Sequence, residues 1–283
     1  MAATTYGQIA VGAALGPLRR RPDALPDEEL RRDGIAVDRR QLAAYDRVCG
    51  FPLSDTLPAT YPHVLAFPLA MELMASGSFP FGVLGLVHVG NAIEQLRPLD
   101  AGEPLDLRVW AERLAEHPRG RTVDVVAEAA VDGELAWRDR STYLHREGTA
   151  PSRPQGTVDG SDPAGAEPGA EWDVPGDIGR RYAAVSGDRN PIHMHGLAAR
   201  LFGQKAAIAH GMWTKARCLA ALQGHLPAAF TADVAFKRPV LLPAKVAFAT
   251  WTDGDVRRFV LRDARSGKPH VDGSVSPCAS ASA

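Results

Sequence analysis

Apolar and polar residues follow two periods along the chain. Leu105-Asp106-Leu107-Arg108-Val109-Trp110 alternates with period two, as a half-buried strand does. Residues 122–131 and 134–144 continue as strand-like runs. A second set of such runs lies at 232–236, 245–251 and 257–261. An apolar stretch with helical spacing precedes each set, at 65–75 and at 208–222. In the second stretch Trp213, Ala216, Leu219, Ala220 and Gln223 are interleaved with Lys215, Arg217 and Cys218. Residues 73–93 carry no Asp, Glu, Lys or Arg, but they contain Gly77, Pro80, Gly82, Gly85, His88, Gly90 and Asn91. That mixture predicts a helix end, a turn and a strand rather than a membrane span.

The two sets read as copies of each other. Tyr45, Val48 and Gly50 match Tyr182, Val185 and Gly187 at an offset of 137 positions. Arg97-Pro98 matches Arg238-Pro239 at an offset of 141, and Trp110 with Trp251 and Met71 with Met212 share that offset. Each half then holds a short helix ending at the Tyr-x-x-Val-x-Gly segment, a loop, a long helix and several antiparallel strands. The fold class is α+β, with a sheet wrapping a helix in each unit. Between Thr149 and Ala170 the only large apolar residue is Val158, among Pro, Gly, Ser, Asp and Glu. Such a stretch buries too little surface to offset its ordering entropy, so 148–172 is expected to be a flexible linker. The units are then 1–147 and 173–283.

Composition narrows the function. Of 283 residues, 45% are hydrophobic and 23% charged, which excludes wholesale disorder. The 32 basic and 33 acidic residues nearly cancel, so no pervasive positive field exists to hold nucleic acid or an anionic membrane. Cys49, Cys218 and Cys278 form neither a CxxC nor a disulfide framework. The uncharged first 18 residues lack a basic n-region, and Arg19, Arg20 and Arg21 follow them instead. A cytoplasmic setting is the expectation.

Chemically useful residues concentrate at 186–195. Gly187, Asn190 and Pro191 punctuate the chain, which places Asp188 on a loop, with His193 where a helix can start. A carboxylate and an imidazole five positions apart across a turn can converge on one volume and exchange protons near neutral pH. Read singly, Asp188 is a turn or cap residue and His193 a satisfied core histidine. Ser186, flanked by Val185 and Gly187, is no GxSxG nucleophile, and a hydrogen-bonding role near the pocket fits it better. Gly211 begins an apolar helix, where a free N–H and the helix dipole favour a developing oxyanion. It can equally be a close-packing glycine. His193, His195 and Asp188 raise the question of a metal, but HExxH and a cysteine pair are both missing. His195 is expected to be exposed, His210 to hold a loop by hydrogen bonding, and Phe236 to be core or to line a pocket.

Tyr182-x-x-Val185-Ser186-Gly187-Asp188-x-Asn190-Pro191-Ile192-His193, followed by Ala209-His210-Gly211-Met212, resembles the hydratase-2 motif of the MaoC-like dehydratases. The likeness is strongest over 178–243. Thr60-Tyr61-Pro62 and Ala198-Ala199-Arg200-Leu201-Phe202-Gly203 are similar to phrases in actinobacterial double-hotdog (3R)-hydroxyacyl-thioester dehydratases. The resemblance implies a double hotdog and reversible syn hydration of trans-2-enoyl thioesters, without a metal or redox cofactor. It implies Asp188 and His193 as the dyad that holds the water or hydroxyl group. Asn190 would shape the pocket, with Ser186 and Phe236 beside the substrate, and the Gly211 N–H would bind the thioester carbonyl. The partner would be acyl-CoA or acyl-ACP, the latter bringing in an acyl carrier protein, with no nucleic acid and no membrane. The chain would be a monomer acting as a pseudo-dimer, or a homodimer.

The first half departs from that motif. Phe51 and Leu53 stand where Asp188 and Asn190 map at offset 137, and Ala70 stands at Gly211 by offset 141. This copy is expected to lack the dyad and to shape the acyl pocket, with room left by Gly77, Gly82, Gly85 and Gly90. A non-catalytic acyl-thioester-binding subunit and a hotdog thioesterase are the rival readings. A nicotinamide enzyme is not supported, because no GxGxxG follows a strand.

Overall fold

The computed structural model describes residues 21–147, 167–201 and 203–278. The first unit runs β1 (Leu30–Ile35), α1 (Arg39–Cys49), α2 (Tyr61–Ala75), β2 (Leu86–Gln95), β3 (Leu105–His117), β4 (Gly120–Val131) and β5 (Glu134–Arg146). The second runs β6 (Glu167–Val174), α3 (Ile178–Ser186), α4 (Pro191–Met194), α5 (Gly196–Leu201), α6 (Gly211–Leu222), β7 (Phe230–Phe236), β8 (Ala244–Asp253), β9 (Val256–Asp263) and β10 (Pro269–Pro277).

All ten strands form one sheet in the order β1-β3-β4-β5-β2-β7-β10-β9-β8-β6. Read inward from either edge, the two halves have the same order. They meet where β2 pairs antiparallel with β7, from Gly90 opposite Ala235 to Gln95 opposite Phe230. Each half wraps a buried helix. α2 buries Tyr61, Val64, Leu69, Met71, Leu73 and Met74, and α6 buries Met212, Trp213, Ala216, Cys218, Leu219 and Leu222. This is the α+β double hotdog.

The repeated Tyr-x-x-Val-x-Gly segment has a local cause. α1 and α3 both stop at a left-handed residue, Gly50 with φ 84° and Gly187 with φ 79°, a conformation that a side chain would strain. Tyr45 and Tyr182 are buried with ring centroids 6.1 Å apart, so the two helices pack on each other across the pseudo-dyad. Trp213 of α6 donates its Nε1–H to the Val48 carbonyl at 3.0 Å, a further tie between units.

Three expectations change. The expected linker 148–172 lies mostly outside the described residues, and its last part, 167–172, belongs to β6, paired with β8. Polar composition hid this edge strand. β10 was also missed, because Asp272, Gly273 and Ser274 weaken its strand signal. Gly273 is needed there: a Cβ would lie 2.3 Å from Cζ of Phe259, whose ring covers the glycine from the neighbouring strand. Finally, Met71 and Met212 are not equivalent. The matching bridges are Thr56 with Asp100 and Ile208 with Leu241. Equivalent residues are thus 152 positions apart before the long helix and 141 apart after it. Gly211 then corresponds to Ala59, not Ala70. The cause is the segment carrying α4 and α5, which the first unit lacks, offset in part by a longer turn after α2.

Candidate active site

The seam between units opens into a cavity of about 390 Å³. The second unit contributes Ser186, Asp188, Asn190, His193, Gly211 and Phe236, and the first contributes His63, Phe67, Leu86, His88 and Tyr143. Every site residue expected from the sequence is therefore on this one surface.

Local structure explains how. After Gly187 turns the chain, the Ser186 Oγ accepts the Asp188 N–H at 3.2 Å, and Asp188 Oδ1 accepts the Asn190 N–H at 3.1 Å. Asn190 caps α4 by accepting the Ile192 N–H, and Pro191 suits the first helical position. His193 then sits on α4, whose backbone lies directly on α3: a Cβ at Gly179 would be 2.1 Å from the His193 carbonyl oxygen. Gly179 is a positioning element that the sequence reading passed over.

The His193 Nδ1 lies 2.8 Å from the Ile208 carbonyl oxygen. A carbonyl only accepts, so Nδ1 carries the proton and Nε2 keeps its lone pair. The His210 Nε2 lies 2.9 Å from the Asp188 carbonyl oxygen, so His210 donates from Nε2 and holds the loop, as its sequence context suggests. The two rings stack with centroids 3.7 Å apart. Burial drives His210 down to about 3, helped by the neighbouring His193 charge. Burial also lowers His193, against the opposing pull of Asp188 and the Ile208 carbonyl. Burial would raise Asp188, but His210, His193 and the Asn190 amide outweigh it and hold the carboxyl below its ordinary value. The resting site is thus a carboxylate beside two neutral imidazoles.

Asp188, His193 and His210 bring potential ligand atoms within 4.8 Å of one another. The ring planes are only 26° apart and overlap, so their in-plane lone pairs run side by side rather than converging on one ion. The arrangement suits protons better than a metal. His195, the other histidine weighed from the sequence, is exposed.

Gly211 opens α6, with its N–H at the first helical position, where no intrahelical acceptor exists. A Cβ there would come within 3.1 Å of Cζ of Phe236, so glycine lets that ring cover the helix start. The expected acyl-pocket glycines are redistributed. Gly85 lines the cavity, followed by Leu86, Val87, His88 and Val89. Gly77 and Gly82 do not, and a Cβ on either meets open space. Phe51 does follow Gly50 as Asp188 follows Gly187, and it is buried against Tyr45, while Leu53 is exposed. Four cations that the sequence left unassigned, Arg119, Arg146, Lys237 and Arg238, line the same cavity, in which Asp188 is the sole carboxylate among the described residues.

A single ten-stranded sheet wrapping one helix in each half, with this Asp–His pair at the seam, defines a class: the chain belongs to the MaoC-like dehydratase family. The family model for the MaoC like domain matches residues 163–273. The chain is 37% identical over 268 residues to 3-hydroxyacyl-thioester dehydratase X of Mycobacterium tuberculosis, covering 95% of each protein. The crystal structure of HtdX from that organism matches with a TM-score of 0.79 and 35% identity, over 89% of this chain and all of the other. A MaoC-like dehydratase from Phytophthora capsici shares the fold at 20% identity, with a TM-score of 0.75 over 92% of this chain and 98% of the other. No helix among the described residues is long and apolar enough to cross a membrane.

Proposed function

We propose that the protein is a hydro-lyase that reversibly dehydrates (3R)-3-hydroxyacyl thioesters to trans-2-enoyl thioesters. The observation that carries this reading is that Asp188, His193, whose Nδ1 is engaged by the Ile208 carbonyl, and Gly211, at the start of α6, all line one cavity. The cavity walls come from both units, so one acyl thioester occupies the seam.

In the dehydration direction, His193 Nε2 takes the proton from C2, and the Gly211 N–H takes up the charge that develops on the thioester oxygen. The imidazolium so formed sits beside the Asp188 carboxylate, which also accepts a hydrogen bond from the C3 hydroxyl. The electron pair of the former C2–H bond forms the C2=C3 bond as the C3–O bond breaks. The imidazolium returns its proton to the leaving oxygen, water departs, and the site is restored. One proton-carrying ring serves both carbons from one face, which accounts for syn stereochemistry. Ser186 and Asn190 fix the loop that aims Asp188, and Phe236 covers the acyl chain near C2. Arg119, Arg146, Lys237 and Arg238 supply the cationic surface that a phosphate-bearing carrier, coenzyme A or acyl carrier protein, requires.

The test incubates the protein with trans-2-enoyl-CoA of several lengths, follows loss of enoyl absorbance and assigns the product's configuration. The (3R)-hydroxyacyl product is expected, with Asp188→Asn and His193→Ala each losing several orders of magnitude in kcat. An (S) product, or free acid from hydrolysis, overturns the assignment.

A further inference from the structure

The first unit has no dyad, yet it presents a histidine to the reaction cavity. His63 and Phe67 lie one turn apart on α2, and both line the wall facing the catalytic loop. Phe67 approaches Gly187 closely enough that a Cβ there would lie 4.0 Å from its ring. His63 is nearly buried, with its side chain 12% exposed. Its Nδ1 pairs with Oδ2 of Asp139, a carboxylate 2% exposed on β5. That contact engages Nδ1 and leaves Nε2 outside the Asp139 pair.

Asp139 is in turn held by a buried chain. Its Oδ1 accepts from Asn91 Nδ2, which also donates to Ser141 Oγ at 3.0 Å. Asn91 Oδ1 accepts from Lys215 of α6, at 2.5 Å. A single path of polar groups therefore runs from the cavity wall through the first unit to the helix that begins at Gly211. A histidine whose ring nitrogen is fixed by a buried carboxylate has a set orientation and proton position. A merely structural histidine has no need of a place on the cavity wall.

We propose that His63, anchored by Asp139, is a positioning residue of the reaction site, contributed by the unit without the dyad, and acts through Asp188. The inference rests on the dehydratase reading. His63 lines the same cavity as the Asp188 carboxylate and is one of the groups favouring its ionised form. His63 pairs with Asp139 of β5 and lies against Phe67; the other titratable groups that share its cavity wall or its polar chain are His88 of β2, Tyr143 of β5, Lys215 of α6 and Asp188 of the catalytic loop. Around Asp188 itself lie His193, His210 and Tyr182 from its own unit. Of all these, His63 is the cavity-facing base tied to a buried acid.

The experiment compares wild type, His63→Gln and His63→Lys by two readouts. One is the pH profile of kcat/KM with trans-2-enoyl-CoA. The other is carboxyl 13C NMR titration of Asp188 in the free protein, which needs no turnover. His63 is among the groups that hold the Asp188 carboxyl down, so with a neutral glutamine in its place the acid limb and the NMR titration both move up by a measurable fraction of a pH unit. In His63→Lys, which keeps a cation, both move back toward wild type. Thermal unfolding confirms that each variant is folded. An unshifted Asp188 titration in folded His63→Gln overturns the proposal, as does a lower kcat with an unmoved acid limb. Absence of hydration in wild type refutes the dehydratase reading instead, while the NMR readout still decides whether His63 sets Asp188.

Discussion

Lys215→Met removes the ammonium that ties the two units together. Lys215 is 0% exposed. Its Nζ donates to Asn91 O at 3.1 Å, Asn91 Oδ1 at 2.5 Å and Ala232 O at 2.8 Å, so all three protons are used. Asn91 is on β2 and Ala232 on β7, the two strands of the seam. Methionine keeps the stem's volume and leaves three acceptors without this donor. Each hydrogen bond to a charged group contributes about 1.5–3 kcal/mol. The ammonium's desolvation offsets part of that, while each buried neutral acceptor left unpaired costs about 1–3 kcal/mol, so a net loss of about 3–5 kcal/mol is expected. For a protein of this size each kcal/mol moves Tm by about 2–4 °C, so a fall of roughly 10 °C is expected in a circular-dichroism melt at pH 6. Below the folded pKa the lysine is charged in both states, and the comparison at that pH isolates the lost bonds. Burial brings that pKa down to about 7, against the opposing pull of Asp139 and Asp233. Because the folded value is depressed, the unfolded chain holds the extra proton between about pH 7 and 10. Wild type therefore gains about 1.4 kcal/mol of stability per pH unit across that window, and the methionine variant does not. A variant melting within about 2 °C of wild type at pH 6, or a gap that stays constant up to pH 9, refutes the reasoning.

Acid should destabilise the folded state through two buried histidines. Burial lowers His88 and His210 to about 3, so each stays neutral in the folded protein while the unfolded chain takes up a proton as pH falls through about 6.5. Each costs about 1.4 kcal/mol at pH 5.5, and Tm should fall by several degrees between pH 8 and 5.5; a flat Tm would count against neutral burial. Gly211→Ala keeps the N–H but puts a Cβ 3.1–3.3 Å from three Phe236 ring atoms. Phe236, which lines the cavity, must give way, so kcat/KM should fall about tenfold or more on short and long enoyl chains alike, with Tm changed by only a few degrees. Unchanged kinetics would remove Gly211 from the carbonyl site.

The Asp188–His193 site was legible because its parts are local. A left-handed glycine, an Asx turn and a proline-started helix fall within residues 187–194, and each has a residue signature. The duplicated frame was legible for the same reason at Gly50 and Gly187. What the sequence hid is long-range. His63 meets Asp139 only after β5 is laid beside β2, a separation of 76 positions. The Gly179 contact with His193 depends on how α3 and α4 cross. The constant offset misled at Met71 because an insertion before α6 and a longer turn after α2 partly cancel in number but not in space.

That insertion also explains why one cavity serves two units. Between α3 and α6 the chain has room for α4 and α5, and α4 delivers His193. Between α1 and α2 the connection is short, with no helix to carry an equivalent ring. An acid retained after Gly50 would then be a carboxylate without a proton partner, buried at a net cost. Phe51 fills that position instead, 8% exposed and stacked on Tyr45, and turns a vacated site into core. The polar chain of the first unit, from His63 through Asp139 and Asn91, leads to the Lys215 helix, which begins at Gly211 on the cavity wall. In this arrangement the first unit is a wall of the site whose charges are wired to it, and mutations deep in that unit should register in the kinetics of the second.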